Sequence, residues 1–312
     1  MKLNKNGAEM TQDKKIILPP DFDSGIVQEE AQTHRTKERE KEDEKYIPVI
    51  IKRIDEIVKH PDDTLSYAIK EGFEQFKRPA ISLFLSSIVG GLIIGFVAML
   101  AAFATSLVEN PTTSFGRLII ALFYPLGFIV CVMSGAKLYT EQTATAIYPV
   151  MDKQASVVKL LKLWGYVLCG NLIGTFISAV LLTSADEAIQ LKESYDVLAH
   201  HLVALSPQTV FISAILAGWL MAQGSWLILS TSTASGQILC VYIVTFIIGV
   251  GGLTHSIAGS AELFLALLGT PSITIAQAAQ TLLVAIIGNS IGGSFFVGVL
   301  NYAHIRITQS YS

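Results

Sequence analysis

Five long stretches of the chain, residues 80–108, 118–136, 163–185, 202–261 and 263–305, contain no Asp, Glu, Lys or Arg. Between them the charged positions return in short clusters. A helix needs about 20 apolar residues to cross the hydrocarbon core of a bilayer, so each of the first three stretches reads as one span. The fourth is too long for one span and is expected to fold back at residues 230–236, a Ser/Thr-rich segment with a glycine. The fifth starts with a short apolar piece, breaks at residues 269–272 (Gly-Thr-Pro-Ser), and then supplies a long final span. The pattern predicts an all-α membrane protein with six transmembrane helices over residues 80–306, followed by a short cytoplasmic C-terminus at 307–312.

The remainder of the chain differs in character. Residues 1–45 are polar and include a run of mixed charge, which cannot bury enough apolar surface to fold alone and predicts a disordered tail. No cleavable signal precedes the first span, so the tail is expected to stay attached. Residues 46–79 alternate apolar and charged positions at helical spacing. Ile50, Ile54, Ile57 and Val58 are expected to share one face, with Phe73 and Phe76 following after Pro61, as in amphipathic helices lying at the membrane surface or on the bundle. Lysines concentrate between spans two and three (Lys153, Lys159, Lys162), whereas the loop between spans three and four is acidic. Lys77 and Arg78 precede span one and Arg306 follows span six. The distribution places both termini on the cytoplasmic side, in agreement with an even number of spans.

Composition narrows the classes further. Charged residues make up 15% of the chain and the mean hydropathy is +0.52, against about 25% charge in soluble domains. The net charge of −3 sits mostly in the tail and gives no reason to expect a nucleic-acid partner. Cys131, Cys169 and Cys240 all fall in apolar stretches and read as buried free thiols. No spacing of His or Cys suggests a metal, and no nucleotide-binding loop or cofactor motif is present. Gly288-Asn-Ser-Ile-Gly292 spells the Gly-x-Ser-x-Gly of hydrolases, but that motif works on a strand-to-helix turn and here lies inside a hydrophobic span. An enzyme is therefore not expected.

An internal echo carries more information. Gly170-Asn-Leu-Ile-Gly174 in span three recurs as Gly288-Asn-Ser-Ile-Gly292 in span six, centred on Asn171 and Asn289. Some thirty residues upstream of each lies a polar interruption with glycine: residues 134–140 in span two and 251–256 in span five. Spans 1–3 and 4–6 thus read as two copies of one unit, and an odd number of spans per copy makes the second run opposite to the first. Paired interruptions in inverted repeats mark a transport pathway at the repeat interface, because irregular backbone at membrane depth is tolerated only inside protein or beside water. The alternative for Gly170, Asn171, Gly288 and Asn289 is close helix packing through small residues.

On Leu138-Tyr-Thr140, Gly252-Leu-Thr-His-Ser-Ile-Ala258 and the two Gly-Asn segments, the chain resembles the formate/nitrite transporter family, in its YfdC-like branch, over residues 65–306. The resemblance implies an aquaporin-like fold with one pore per protomer, a homopentamer in the bacterial inner membrane, and passage of small monovalent anions or their conjugate weak acids, linked to a proton. Leu138 and Tyr139 would match the constriction loop, Thr140 the threonine facing the pore, and His255 the central histidine, with Gly252 and Thr254 beside it. The chain departs from the family pattern at four positions. Lys137 stands where an acid is usual and Thr254 where a glutamate is usual, while Gly218 and Gly259 stand where asparagines are typical.

Several readings of single residues stay open at this level. His255 either passes a proton to a weak-acid anion or ties two half-helices together through Thr140. Lys137 either snorkels or sets a positive potential at the pore mouth, with Glu141, four residues on, as a neutralising partner. Glu262, about two turns past His255, is an interface residue or a proton partner, and Tyr139 is read as a steric gate. Two other functions compete with an anion channel. One is a channel for a neutral solute, although the Asn-Pro-Ala signature is missing and Asn110-Pro111 is followed by Thr112. The other is a non-conducting membrane scaffold.

Overall fold

The computed structural model describes residues 58–270 and 272–311. Helix α1 (Pro61–Lys77) begins with a proline in its first turn and Asp62 and Asp63 beside it, and ends on Lys77, charges placed to complement the helix dipole. It buries Leu65, Ala68 and Ile69 against Tyr148 and Ile305. Val58, expected on a helical face, instead forms an antiparallel bridge with Thr231, and Lys59 N–H donates to the Ser230 carbonyl at 2.8 Å. The loop between spans four and five offers free backbone groups there, and pairing with them displaces the helical alternative. Ile50, Ile54 and Ile57, like the charged tail, lie outside the described residues.

The transmembrane part follows as α2 (Ala80–Ser106), α3 (Ser114–Met133), the short α4 (Tyr139–Thr145) and α5 (Tyr148–Met151), and α6 (Val157–Ser184). After the small α7 (Asp186–Ile189) and α8 (Lys192–Ala204) come α9 (Pro207–Ser230), α10 (Ala234–Gly251), α11 (Ser256–Gly269) and α12 (Ile275–Ile291). A π-helical segment (Gly292–Val299) then continues without a break into α13 (Leu300–Tyr311). Helix therefore runs through Tyr311, so residues 307–311 of the short C-terminus are helical. Among the described residues, six helices are long and apolar enough to cross a bilayer. Exposed Leu181, Leu239 and Leu283 on the outside of the bundle are expected where the surrounding solvent is hydrocarbon.

Side-chain caps start most spans. Thr113, Ser156, Ser206 and Thr233 each accept a backbone N–H of the first turn, and Thr274 with Gln277 forms a capping box. Two spans stop inside the bundle. Helix α3 ends at Met133 and the chain resumes as α4 at Tyr139; α10 ends at Gly251 and the chain resumes as α11 at Ser256. Each gap holds a glycine in the left-handed region, Gly135 at φ 73° and Gly252 at φ 58°, a conformation that costs glycine little and other residues more.

The helix pairs that clamp these gaps approach backbone to backbone. A β-carbon at Gly170 would lie 2.6 Å from Ser87 Cβ on α2, and one at Gly288 would lie 2.6 Å from Ala214 Cβ on α9. Such contacts leave no room for a larger side chain. The packing reading of these two glycines therefore describes their surroundings.

Candidate functional site

Each gap is held by an asparagine from the glycine-flanked segment opposite. Asn171 on α6 accepts from Tyr139 N–H at 2.8 Å and donates to the Lys137 carbonyl at 2.8 Å and the Ser87 carbonyl at 2.7 Å. Asn289 on α12 accepts from Ser256 N–H at 2.7 Å and donates to the Thr254 carbonyl at 3.0 Å and the Ala214 carbonyl at 2.7 Å. Both asparagines are fully buried. Broken helices free backbone groups that hydrocarbon cannot solvate; one amide side chain per gap satisfies two of them, an N–H and a carbonyl, and ties the gap to a carbonyl of the neighbouring unbroken helix.

The two gaps meet. Thr140 Oγ1 lies 2.9 Å from His255 Nε2, with both residues buried. His255 also caps α11, its Nδ1 accepting Ala258 N–H at 3.1 Å. The bond from Ala258 occupies the Nδ1 lone pair, so the neutral ring carries its proton on Nε2 and donates it to Thr140 Oγ1. The Phe128 ring stands edge-on to the imidazole, centroids 5.2 Å apart at 88°.

The other expected residues surround this junction. Leu138 is fully buried in the core at the start of α4. Tyr139 does more than obstruct: its hydroxyl lies 2.6 Å from Ser290 Oγ, and its ring meets Trp164 edge-on. A buried phenol needs a partner, which corrects the purely steric reading. Thr254 donates its backbone N–H to Ser213 Oγ at 2.9 Å, and its own hydroxyl is 3.2 Å from the same oxygen. Lys137 Nζ is 3.7 Å from Glu71 on α1, a contact made across the bundle, and Glu141 also lies within its electrostatic reach. Glu141 lines a small cavity of about 10 Å³ with Phe128, Met221 and Val244.

On the other side of the junction lies a cavity of about 400 Å³, with His255, Gly259 and Glu262 of α11, Tyr124 of α3 and Gly252 among its lining residues. Arg117, His200 and His201, all exposed, also line it. Gly218 and Gly259 have opposite surroundings. A β-carbon at Gly218 would overlap the Asn289 carbonyl oxygen, whereas one at Gly259 would meet only Leu202 Cδ1, at 3.6 Å. Gly218 is a packing requirement and Gly259 leaves space in the cavity.

Ser290, Ser213, Phe128 and Glu71 belong to the site without having been singled out in the sequence. Ser290 had a signal, since it is the variable position of the second Gly-Asn-x-Ile-Gly segment. The others sit at ordinary helical positions with none. At the end of the bundle bearing α1 and α13, outside the membrane-spanning helices, Asp152 accepts from Gln154 at 2.7 Å, from Arg306 at 2.6 Å and from Tyr302 at 3.1 Å. Partial burial alone would raise its pKa; the three donors outweigh it and hold the carboxyl below its usual value.

The formate/nitrite transporter profile matches residues 62–303. The inner membrane protein YfdC of Escherichia coli is 32% identical, the match covering 77% of this chain and 77% of that protein. The formate channel BtFdhC of Bacillus thuringiensis is 22% identical over 78% of this chain and 94% of its own. Among solved structures, an FNT family ion channel superposes with a TM-score of 0.72 at 18% identity, covering 78% of this chain and 98% of that one. A pentameric formate channel with formate bound superposes with a TM-score of 0.61 at 20% identity, over 73% and 98%. A six-span, all-helical membrane protein with this fold and this profile is a transport protein rather than an enzyme: the chain belongs to the formate/nitrite transporter family.

Proposed function

We propose that the protein conducts small monovalent anions, or their conjugate weak acids, through a passage whose narrowest part is the junction of Thr140 and His255. The observation that carries this reading is the 2.9 Å contact between them, made at the foot of a cavity of about 400 Å³ where two interrupted helices meet. With His255 Nε2–H donating to Thr140 Oγ1, the threonine hydroxyl proton is left to point at a solute oxygen. The junction then presents a hydrogen-bond donor to an anion or to a carbonyl of its acid, in a setting where a bare charge is costly. Residues from both halves of the chain form it, as expected if spans 1–3 and 4–6 are inverted copies meeting at a pathway.

The names of the relatives support the same substrate class, since a formate channel lies among them and a pentameric formate channel among the folds. On that basis the protein is proposed to work as a homopentamer in the bacterial inner membrane, with both termini cytoplasmic by its lysine distribution. The Lys137–Glu71 pair then closes α1 onto the cytoplasmic end of the pathway, and the large cavity opens on the opposite side.

Purified protein in liposomes, challenged with formate, nitrite, acetate and glycerol gradients over a pH series, tests the reading. Weak-acid flux that rises as external pH falls is the expected result, and glycerol flux alone or silence toward every solute would contradict it. His255→Asn keeps an N-cap side chain but loses the Nε2–H donor. It is expected to change weak-acid flux by about tenfold or more, the worth of one charge-assisted or buried hydrogen bond, while the protein stays folded.

A further inference from the structure

Glu262 is 8% exposed and lines the large cavity, yet no hydrogen bond or ion pair reaches its carboxyl group among the described residues. A buried, unpartnered carboxyl in an apolar setting is expensive as an anion and is rarely kept at membrane depth without a task. Its position is specific. His255, Gly259 and Glu262 follow one another at i, i+4 and i+7, so they share one face of α11. Seven residues of helix place Glu262 about 10 Å along the axis from His255, between the junction and the mouth. Because Gly259 has no side chain, nothing on α11 stands between them.

His255 is a poor place to load a proton. Its Nε2 already bears one, and protonating Nδ1 would displace Ala258 N–H and uncap α11. The cavity therefore holds one acidic group free to gain and lose a proton without breaking a contact. We infer that Glu262 is the proton-donating and selectivity group of the outer cavity, admitting conjugate weak acids and rejecting anions that cannot be protonated. This inference rests on the transport reading above and names the group within the same pathway that sets its specificity.

The step balances simply. The O–H bond of the Glu262 carboxylic acid breaks, and an O–H bond forms on the carboxylate or nitrite oxygen of the solute. The solute moves on toward Thr140 and His255 as a neutral acid, and Glu262 takes a new proton from the water at the mouth. While ionised, Glu262 repels any anion held in the cavity. The other groups facing it are Arg117 and Tyr124 from α3, His200 and His201 from α8 and His255 from its own helix. The α2 and α10 walls add only Ala101, Ile248 and Gly249. Exposed Arg117 draws anions to the mouth, so attraction and admission are separate steps.

The experiment compares wild type with Glu262→Gln, which keeps the shape but can neither ionise nor donate its proton, and with Glu262→Ala as a second variant should the amide misfold. Oligomer size is checked, and flux of formate, nitrite, nitrate, chloride and methylammonium is measured in liposomes from about pH 5 to about pH 8, roughly three decades of proton concentration around neutrality. In wild type, formate and nitrite flux is expected to rise as pH falls, with nitrate and chloride excluded. In the variants the pH dependence should flatten and nitrate or chloride flux should rise about tenfold, as the loss of one like charge at close range allows. Wild-type flux with an unchanged pH profile and selectivity in both variants would overturn this inference and leave the transport reading standing. Methylammonium flux lost in the variants would overturn it in favour of a cation site. Silence of every protein toward every solute would overturn the transport reading and this inference with it.

Discussion

Around the first interruption, Asn171 bonds Tyr139 N–H and the carbonyls of Lys137 and Ser87; around the second, Asn289 bonds Ser256 N–H and the carbonyls of Thr254 and Ala214. The backbone solution is the same, and the side chains mounted on it are not. Leu138, which starts α4, gives it no side-chain cap, whereas His255 in the equivalent place caps α11 and reaches across to Thr140. Helix α4 has 7 residues and α11 has 14, and the cavities beside them measure about 10 and 400 Å³. The contrast separates what holds the fold from what is proposed to act on a solute: a shared asparagine clamp supports two unlike surfaces.

The most damaging way to test that separation is to remove a clamp. Asn171→Ala or Asn289→Ala strands two buried backbone groups of the gap, each worth about 1–3 kcal/mol, and both variants are expected to lose most of their folded yield and thermal stability in detergent. A mild loss at either one would break the equivalence of the two gaps. A smaller effect separates Gly218 from Gly259. Gly218→Ala forces a methyl group into the Asn289 backbone and is expected to cost about 1–3 kcal/mol, whereas Gly259→Ala, facing the cavity, should stay within about 0.5 kcal/mol. Melting curves of the pair check the contrast.

Much of this was legible in the sequence because hydrocarbon imposes strict rules. Charge-free stretches of bilayer length locate the spans, and the Gly-Asn repeats flag Asn171 and Asn289 because few other residues can serve three backbone groups from inside a helix. His255 stood out as the one histidine in sixty uncharged residues. Contacts made across the bundle were not legible. Nothing local tells Lys137 to pair with Glu71, 66 positions away. Likewise Val58 continues an amphipathic pattern, and only the proximity of Thr231 draws it into an extended pairing. Ser290 could be noticed in the repeat, but its partner Tyr139 lies 151 positions away.

A modest effect on stability alone is expected remote from both gaps and serves as a control. Asp152, held below the usual carboxylate range by Gln154, Arg306 and Tyr302 once burial is outweighed, stabilises the folded state above the unfolded pKa of about 4. That contribution is lost as pH falls through the lower folded pKa. Asp152→Asn is expected to cost about 1 kcal/mol at most at neutral pH, because Arg306 is partly exposed. The difference from wild type should vanish under acid, while solute flux is unchanged. A difference that grows on acidification would contradict the assignment.

The account stands or falls on the cavity above His255 being the route that solutes take. Gly259→Phe places a ring in that space on a helix face that has room for it, leaving the asparagine clamps, Thr140 and His255 untouched. Formate flux into liposomes, measured beside wild type at equal protein content, is expected to fall to the level of empty vesicles with the melting temperature preserved. Wild-type flux through a folded Gly259→Phe protein would show that solutes cross elsewhere.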